Sequence, residues 1–303
     1  MENNTSPEPM LRKPAWLKAP LGGGSEYHKL AKSIQEKNLH TVCAEAHCPN
    51  KGECWSRGVA TLMILGDTCT RACAFCNVKT GRPASTDVQE PIRVAEAVRD
   101  MNLRYLTLTS VDRDDMEDFG AEIWSETIRR IKHDQPSIKI EALVPDFQGR
   151  TELLDVVLHA LPDVLNHNLE TIPRLQKKIR KFANWEHSLH ILRHAKAQGF
   201  TTKTGIMVGL GETRAEVFEF LADMARENVD IVTVGQYLQP SQTNIAVQRY
   251  VEPAEFRDYA QEALRLGIPK CESGPLVRSS WHAAESAEKF QSAVATQSRT
   301  AGS

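Results

Sequence analysis

From residue 60 onward the chain alternates between short apolar runs and amphipathic stretches. The apolar runs fall at residues 61–65, 105–109, 138–144, 163–165, 202–208 and 231–237, all of strand length. Between most of them, residues 92–101, 121–132, 188–198, 214–228 and 253–266 carry apolar side chains at helical spacing. Six strands alternating with helices predict a parallel α/β sheet. A doubly wound open sheet and a partial barrel both satisfy this pattern, and periodicity does not separate them. Thr213 and Glu216 fit the capping box that opens the helix at 214. Residues 1–22 are punctuated by Pro and Gly and predict an arm laid over the body, followed by a short helix over 27–37 with Leu30 and Ile34 on one face. Residues 284–303, rich in Ala and Ser, predict a frayed helix or disordered tail.

Composition narrows the class. With 303 residues the chain suits one large domain or two small ones. A formal charge of −2 and a pI near 6.6 exclude a general nucleic-acid binder. The apolar runs are too short to span a bilayer. The first residues show neither an apolar h-region nor an Arg-rich amphipathic pattern, so no targeting segment is expected and the cytoplasm is the expected compartment.

The cysteines change the picture. Six of seven lie between residues 43 and 76, in two triplets. Cys43, Cys48 and Cys54 are spaced C-x4-C-x5-C; Cys69, Cys73 and Cys76 are spaced C-x3-C-x2-C. A closed structural zinc site needs four protein ligands, and a [4Fe–4S] cluster has four irons to ligate. A triplet therefore leaves one iron open for chemistry. Clustered cysteines in a reducing compartment bind metal or catalyse more often than they form disulfides. Taken alone, either triplet also fits a zinc site completed by a distant residue, with His47 a candidate, and the six thiolates together fit a binuclear zinc or ferredoxin-like module. Cys271 stands apart and is expected to be a buried core thiol.

Functional groups of parallel barrels gather at the carboxyl ends of strands, and polar segments fall at those points here. The first strand runs into the loop of residues 69–76, and the second into Ser110, Asp112, Asp114 and Asp115. The fourth ends in Asn166, His167, Asn168 and Glu170, the fifth in Gly209 to Glu212, and the sixth in Gln236 to Pro240. One cavity is expected. Asp112, Asp114 and Asp115 equally fit a solubilised loop that caps the next helix. Gly209 and Gly211 lack the dinucleotide spacing and fit a ligand lying against the backbone. His167 is expected to be a hydrogen-bonded core histidine. Arg174, Lys177, Lys178, Arg180 and Lys181 fit either a solvated helix face or a docking surface for an acidic protein.

The segment Leu65-Gly66-Asp67-Thr68-Cys69-Thr70-Arg71-Ala72-Cys73-Ala74-Phe75-Cys76 resembles the signature of the radical S-adenosylmethionine (SAM) superfamily. The first triplet matches the auxiliary-cluster spacing of one of its families, the lipoyl synthases. The resemblance to that family runs from Leu11-Arg12-Lys13-Pro14 through Leu143-Val144-Pro145-Asp146-Phe147 and Tyr237-Leu238-Gln239-Pro240-Ser241 to Arg278-Ser279-Ser280. It implies a partial (β/α)6 radical SAM barrel over residues 58–270. Residues 1–57 would form an N-terminal extension carrying the auxiliary-cluster cysteines, and residues 271–303 a C-terminal extension with the Arg-Ser-Ser motif and a mobile tail.

By the same resemblance, Cys69, Cys73 and Cys76 would hold a SAM-binding [4Fe–4S] cluster. Cys43, Cys48, Cys54 and Ser280 would hold an auxiliary [4Fe–4S] cluster, with Ser279 the alternative serine. The implied SAM contacts are Thr68, Phe75, Ser110, Asp112, Asn168 and Glu170. The implied activity is radical insertion of two sulfur atoms, drawn from the auxiliary cluster, at carbons six and eight of a protein-bound octanoyl-lysine. The implied partners are octanoylated lipoyl-carrier domains (glycine cleavage H protein, 2-oxoacid dehydrogenase lipoyl domains) and a ferredoxin or flavodoxin reductant, with no nucleic acid and no membrane. A methylthiotransferase or biotin-synthase-like enzyme would lack the first triplet and the Arg-Ser-Ser end. A non-catalytic zinc or electron-transfer protein is the alternative from another class. Phe119, Trp185, Asn244, Ala246 and Trp281 depart from the family pattern, none at an implied cluster ligand.

Overall fold

Seven strands pair in parallel and in chain order in the computed structural model: β1 (Thr61–Ile64), β2 (Tyr105–Ser110), β3 (Lys139–Leu143), β4 (Val164–Asn166), β5 (Thr201–Val208), β6 (Ile231–Gln236) and β7 (Lys270–Gly274). A two-residue strand, His40–Thr41, adds antiparallel to the outer edge of β1. The two edge strands do not pair with each other, so the barrel stays open. The structure describes residues 11–19, 22–57, 59–83, 85–101 and 103–280; Trp281 and the expected tail lie outside the described residues.

Register follows burial. Leu62 stands opposite Leu108, Leu106 opposite Ile140, and Ala142 opposite Leu165, all at most 1% exposed. Strands covered on both faces read as continuous apolar runs, which is why they stand out in the sequence. Helices Glu90–Asp100, Ala121–Asp134, Thr151–Leu158, Trp185–Ala197, Arg214–Arg226 and Pro253–Arg265 alternate with them. Val94, Val98, Trp124, Ile128 and Leu154 pack on the first half of the sheet, and Phe220, Met224, Phe256 and Tyr259 on the second. Truncating a fully buried side chain such as Trp124 to Ala would cost about 3–5 kcal/mol. The capping box at Thr213 and Glu216 forms as expected.

Within the strand–helix alternation of the barrel, two elements lie outside the sequence-based expectation. Helix Thr151–Leu158 fills the connection between β3 and β4, and β7 pairs with β6 along its whole length. β7 straddles the junction between the expected barrel and the C-terminal extension. At the other end, helix Ser25–Glu36 buries Leu30 and Ile34 against Cys43, Trp55 and Ala60. The arm ahead of it buries Leu17 and is tied to the body where Tyr250 Oη donates to the Leu11 carbonyl at 3.1 Å.

A charged network is buried within the sheet. Lys203 of β5 donates to both oxygens of Glu141 of β3, at 2.9 and 3.1 Å, and the two residues are 2% and 0% exposed. Tyr105 Oη and Asn166 Nδ2 complete the carboxylate's partners at 2.7 and 2.8 Å.

Candidate active site

The Cys69–Cys76 loop begins with a forced turn at the end of β1. Leu65 and Gly66 take positive φ values of 68° and 89°, and their N–H groups donate to the buried Glu90 carboxylate at 2.6 and 3.3 Å. The chain then closes on itself through a small parallel ribbon, Thr68–Cys69 with Lys79–Thr80. This brings main-chain donors onto sulfur: Arg71 N and Asp112 N lie 3.4 and 3.3 Å from Cys69 Sγ, and Val78 N lies 3.4 Å from Cys76 Sγ. Burial pushes the Cys69 and Cys73 thiols up to about 12 and raises Cys76 as well. Three desolvated thiols converge where a bare thiolate is disfavoured, so the donor set suits a cationic metal group that displaces their protons.

The acidic loop after β2 is organised around Arg71, which is 5% exposed. Its guanidinium forks onto Asp114 at 2.7 and 2.8 Å, meets Asp146 Oδ1 at 2.8 Å and stands 3.5 Å from Asp112. Asp115 pairs instead with Arg113 at 2.8 Å. Helix capping falls to Asp118, which accepts from the N–H groups of Gly120 and Glu122 at 3.0 Å. The loop is therefore built by buried ion pairs, and the capping role expected of Asp112, Asp114 and Asp115 is not theirs.

The first triplet forms a second thiol cluster. Cys43 sits on the turn Val42–Glu45, capped by Thr41, and Cys54 on helix Lys51–Ser56. One recess is lined by Cys43, Cys48, Cys54, Asn50, Arg278 and Ser280. Burial pushes Cys54 up to about 12 and raises Cys48. Burial likewise lowers Arg278, and a Cys48 thiolate would oppose that shift. The C-terminal segment reaches the recess because Asn50 Nδ2 donates to the Leu276 carbonyl at 2.7 Å. Gly235 also leaves it room, since a Cβ there would lie 2.2 Å from Val277 O. Among the described residues no group of three or more His, Cys, Asp or Glu is disposed to hold a single metal ion. A four-iron cluster takes each thiolate on a different iron and does not require the three to meet at one ion.

Cys43 and Cys48 of the first trio and all three cysteines of the second line one cavity of about 420 Å³, with Cys54 set behind it in the recess, within the range of small-molecule sites. Of the expected SAM contacts, Phe75, Ser110, Asp112, Asn168 and Glu170 line it. Thr68 does not: it is buried, and its hydroxyl donates to Asp67 at 2.7 Å. Gly209 is no ligand platform either, because a Cβ there would meet Gln236 and Arg249 at 2.2 and 2.5 Å. His167 is the expected core histidine, bonded to Val144 O and Ser188 Oγ and pushed down to about 4 by burial. Cys271 lies on β7, half-buried, and packs against the second core cluster.

One functional residue hid in the basic run. Arg180 is 8% exposed, lines the cavity, and donates to the carbonyls of Asn168 and Leu169 at 3.1 and 3.3 Å. Its charge opposes the rise that burial imposes on Glu170 and Asp112. Arg174 is engaged with Glu216, so only Lys177, Lys178 and Lys181 of the run remain as an exposed basic face. Asn168 donates to Glu170 and Ser279, while its buried Oδ1 has no partner among the described residues. An acceptor left open beside the thiols suits a ligand carrying a donor.

Comparison with known proteins agrees with this geometry. The family described as Radical SAM superfamily matches residues 63–224, and the N-terminal domain of lipoyl synthase of the radical SAM family matches residues 2–48. A lipoyl synthase of Parabacteroides distasonis is 50% identical over 273 residues, covering 90% of this chain and 97% of the relative. The mitochondrial lipoyl synthase of Nematostella vectensis is 48% identical, covering 91% of this chain and 95% of its own length. Among solved structures, methylornithine synthase superposes with a TM-score of 0.51 at 14% identity, covering 83% of each chain. Streptococcus suis SuiB bound to its precursor peptide SuiA superposes at 0.56 with 9% identity, covering 82% of this chain and 52% of that one. These two likenesses carry the fold alone. The relatives carry more: across nine-tenths of its length the chain belongs to the lipoyl synthase family of radical SAM enzymes.

Proposed function

We propose that this chain builds a lipoyl group by inserting two sulfur atoms, at carbons six and eight, into a protein-bound octanoyl-lysine. The observation that carries this is the joint placement of Ser280 with Cys43, Cys48 and Cys54 in one recess, of which Cys43, Cys48, Arg278 and Ser280 also line the cavity of Cys69, Cys73 and Cys76. Membership of the superfamily brings one [4Fe–4S] cluster and SAM. In this proposal Cys69, Cys73 and Cys76 hold that cluster, and Cys43, Cys48, Cys54 and Ser280 hold an auxiliary one. When bound, these groups supply the one-electron chemistry that breaks an unactivated C–H bond, beyond the reach of side-chain acids and bases.

The chain's own residues bind, orient and exclude water. N–H groups of Arg71, Asp112 and Val78 stabilise sulfur as thiolate. Arg180 offers a buried cation to a carboxylate, while Asp112 and Glu170, which burial pushes toward their neutral forms, would be held ionised by an ammonium group. Those charges complement the amino-acid end of SAM. Phe75, Ile206, Met207 and Val277 line the same cavity with apolar surface suited to an alkyl chain. Ser280 rather than Ser279 fits the oxygen ligand, because Ser279 is engaged by Asn168.

As partners we propose an octanoylated lipoyl-carrier domain and a ferredoxin or flavodoxin reductant. Exposed Lys177, Lys178 and Lys181 suit an acidic carrier. Among the described residues no helix is long and apolar enough to cross a membrane. Anaerobic reconstitution followed by addition of reductant, SAM and an octanoyl-lysine peptide tests the proposal. Expected are about eight irons per chain, 5′-deoxyadenosine, and a peptide gaining two sulfurs by mass spectrometry. Stoichiometric zinc, or SAM cleavage with no sulfur gained, would overturn it.

A further inference from the structure

The buried ion pair of the sheet has a third partner. Besides both oxygens of Glu141, Lys203 Nζ donates to the main-chain carbonyl of Ser279. The same serine's hydroxyl accepts from Asn168 Nδ2 at 2.6 Å. Ser279 is thus held at two atoms by the barrel, while the next residue, Ser280, lies with the thiols of the auxiliary recess. Neither anchor touches Ser280. Just upstream, Asn50 holds the Leu276 carbonyl and Gly235 admits Val277 at close range.

A buried Lys–Glu pair contributes little net stability compared with apolar residues of the same volume. What it supplies is direction. Lys203 is 2% exposed, and Glu141, itself fixed by Tyr105 and Asn166, leaves the ammonium no other place to point. One of its three protons is aimed at a single carbonyl on the Arg-Ser-Ser segment, 76 residues along the chain.

We propose that Lys203, oriented by Glu141, is a positioning residue that docks the Arg278-Ser279-Ser280 segment through Ser279. Docking delivers the Ser280 hydroxyl to the recess and keeps it within reach whenever that hydroxyl is not bound to metal. The docking role stands on the contacts above; its use in sulfur insertion rests on the assignment of Ser280 as the oxygen ligand.

Trypsin reads the docking directly, because a docked Arg278 is protected. Lys203→Met alone would strand Glu141, so the test uses Lys203→Met combined with Glu141→Leu. Reconstituted enzymes are digested anaerobically and the fragment ending at Arg278 is followed by mass spectrometry. Loss of a charge-assisted hydrogen bond should release that fragment about tenfold or more faster than in the parent, with cleavage inside the barrel unchanged. Release at the parental rate would overturn the proposal. If the double variant is cleaved throughout, the decision passes to Lys203→Met with Glu141→Gln, which keeps an amide beside Tyr105 and Asn166 and removes the bond to the Ser279 carbonyl. It should speed release to the same degree, and an unchanged rate would again overturn docking. Sulfur inserted per 5′-deoxyadenosine separates the two ideas. Faster release with lower coupling supports both; faster release with full coupling keeps the docking and discards the role of Ser280.

Discussion

Replacing Arg71 with Met should destabilise the protein strongly, and more so as the pH rises toward neutral. The Arg71 side chain is 4% exposed and meets Asp112, Asp114 and Asp146 at 3.5, 2.7 and 2.8 Å. Asp146 is 1% exposed, so removing the guanidinium strands a carboxylate in the interior. Breaking a buried pair in this way costs about 3–5 kcal/mol, against about 0–1 kcal/mol for an exposed pair such as Lys32–Glu36. With about 2–4 °C per kcal/mol, Tm should fall by roughly 6–20 °C. The pH dependence follows from Asp146. Burial pushes its carboxyl up, but Arg71, His167 and the Gln148 N–H together outweigh that and hold it below the ordinary value. In the parent this contribution is present above the ordinary carboxylate pKa and is lost as the pH falls through the folded value. In Arg71→Met burial is opposed only by His167 and the Gln148 N–H, so the folded-state carboxyl rises relative to the parent and the stabilisation it gives above the ordinary value shrinks. The gap in Tm between parent and variant should therefore widen from about pH 4 to pH 7. Anaerobic calorimetry of both reconstituted proteins across that range measures it. A gap under about 2 °C, or one flat with pH, would refute the reasoning.

Ser280→Ala should lower sulfur insertion far more than SAM cleavage, measured as product per 5′-deoxyadenosine; equal loss of both contradicts its assignment as a cluster ligand. Gly235→Ala places a Cβ 2.2 Å from Val277 O and should displace the C-terminal segment at a cost of about 1–3 kcal/mol. Iron per chain should then fall toward the content of one cluster, and full iron with full sulfur insertion would speak against that displacement. Replacing Lys177, Lys178 and Lys181 together with Gln should slow turnover on an octanoylated carrier protein but not on a short peptide, with the difference shrinking as salt is added. Identical responses of the two substrates would remove the docking face.

The parts legible from sequence were those with local or spacing signals. Strands covered on both faces announce themselves as apolar runs, and each thiol trio is fixed by its own spacing. β7 had no such signal: Lys270-Cys271-Glu272-Ser273-Gly274 is half-buried at a sheet edge, and its pairing with β6 runs through the main chain. Arg180 belonged by composition to a basic stripe. The helix Gln176–Ile179 ends just before it, and the backbone turn to φ −127° accompanies its burial in the cavity wall. The pairing of Arg71 with Asp146 and of Lys203 with Glu141 joins residues distant in sequence, so only the folded barrel brings them together. Thr68 is a ligand contact implied by the family resemblance, but its hydroxyl is bonded to Asp67 and it does not line the cavity, since neighbours on a strand point to opposite faces.

The bond between Asn50 and Leu276 spans 226 positions, and this has a consequence for how the enzyme matures. On the ribosome the first three thiols emerge more than two hundred residues before the wall they wait for. The Cys69–Cys76 loop, whose three thiols lie within eight residues, carries no such delay. Under the proposed assignment of Ser280, iron delivered to a nascent chain would meet three sulfurs and no oxygen at the recess, so folding as far as Ser280 would have to precede correct loading there. A chain terminated just after Gly274 would keep its barrel strands yet lack Ser280 altogether.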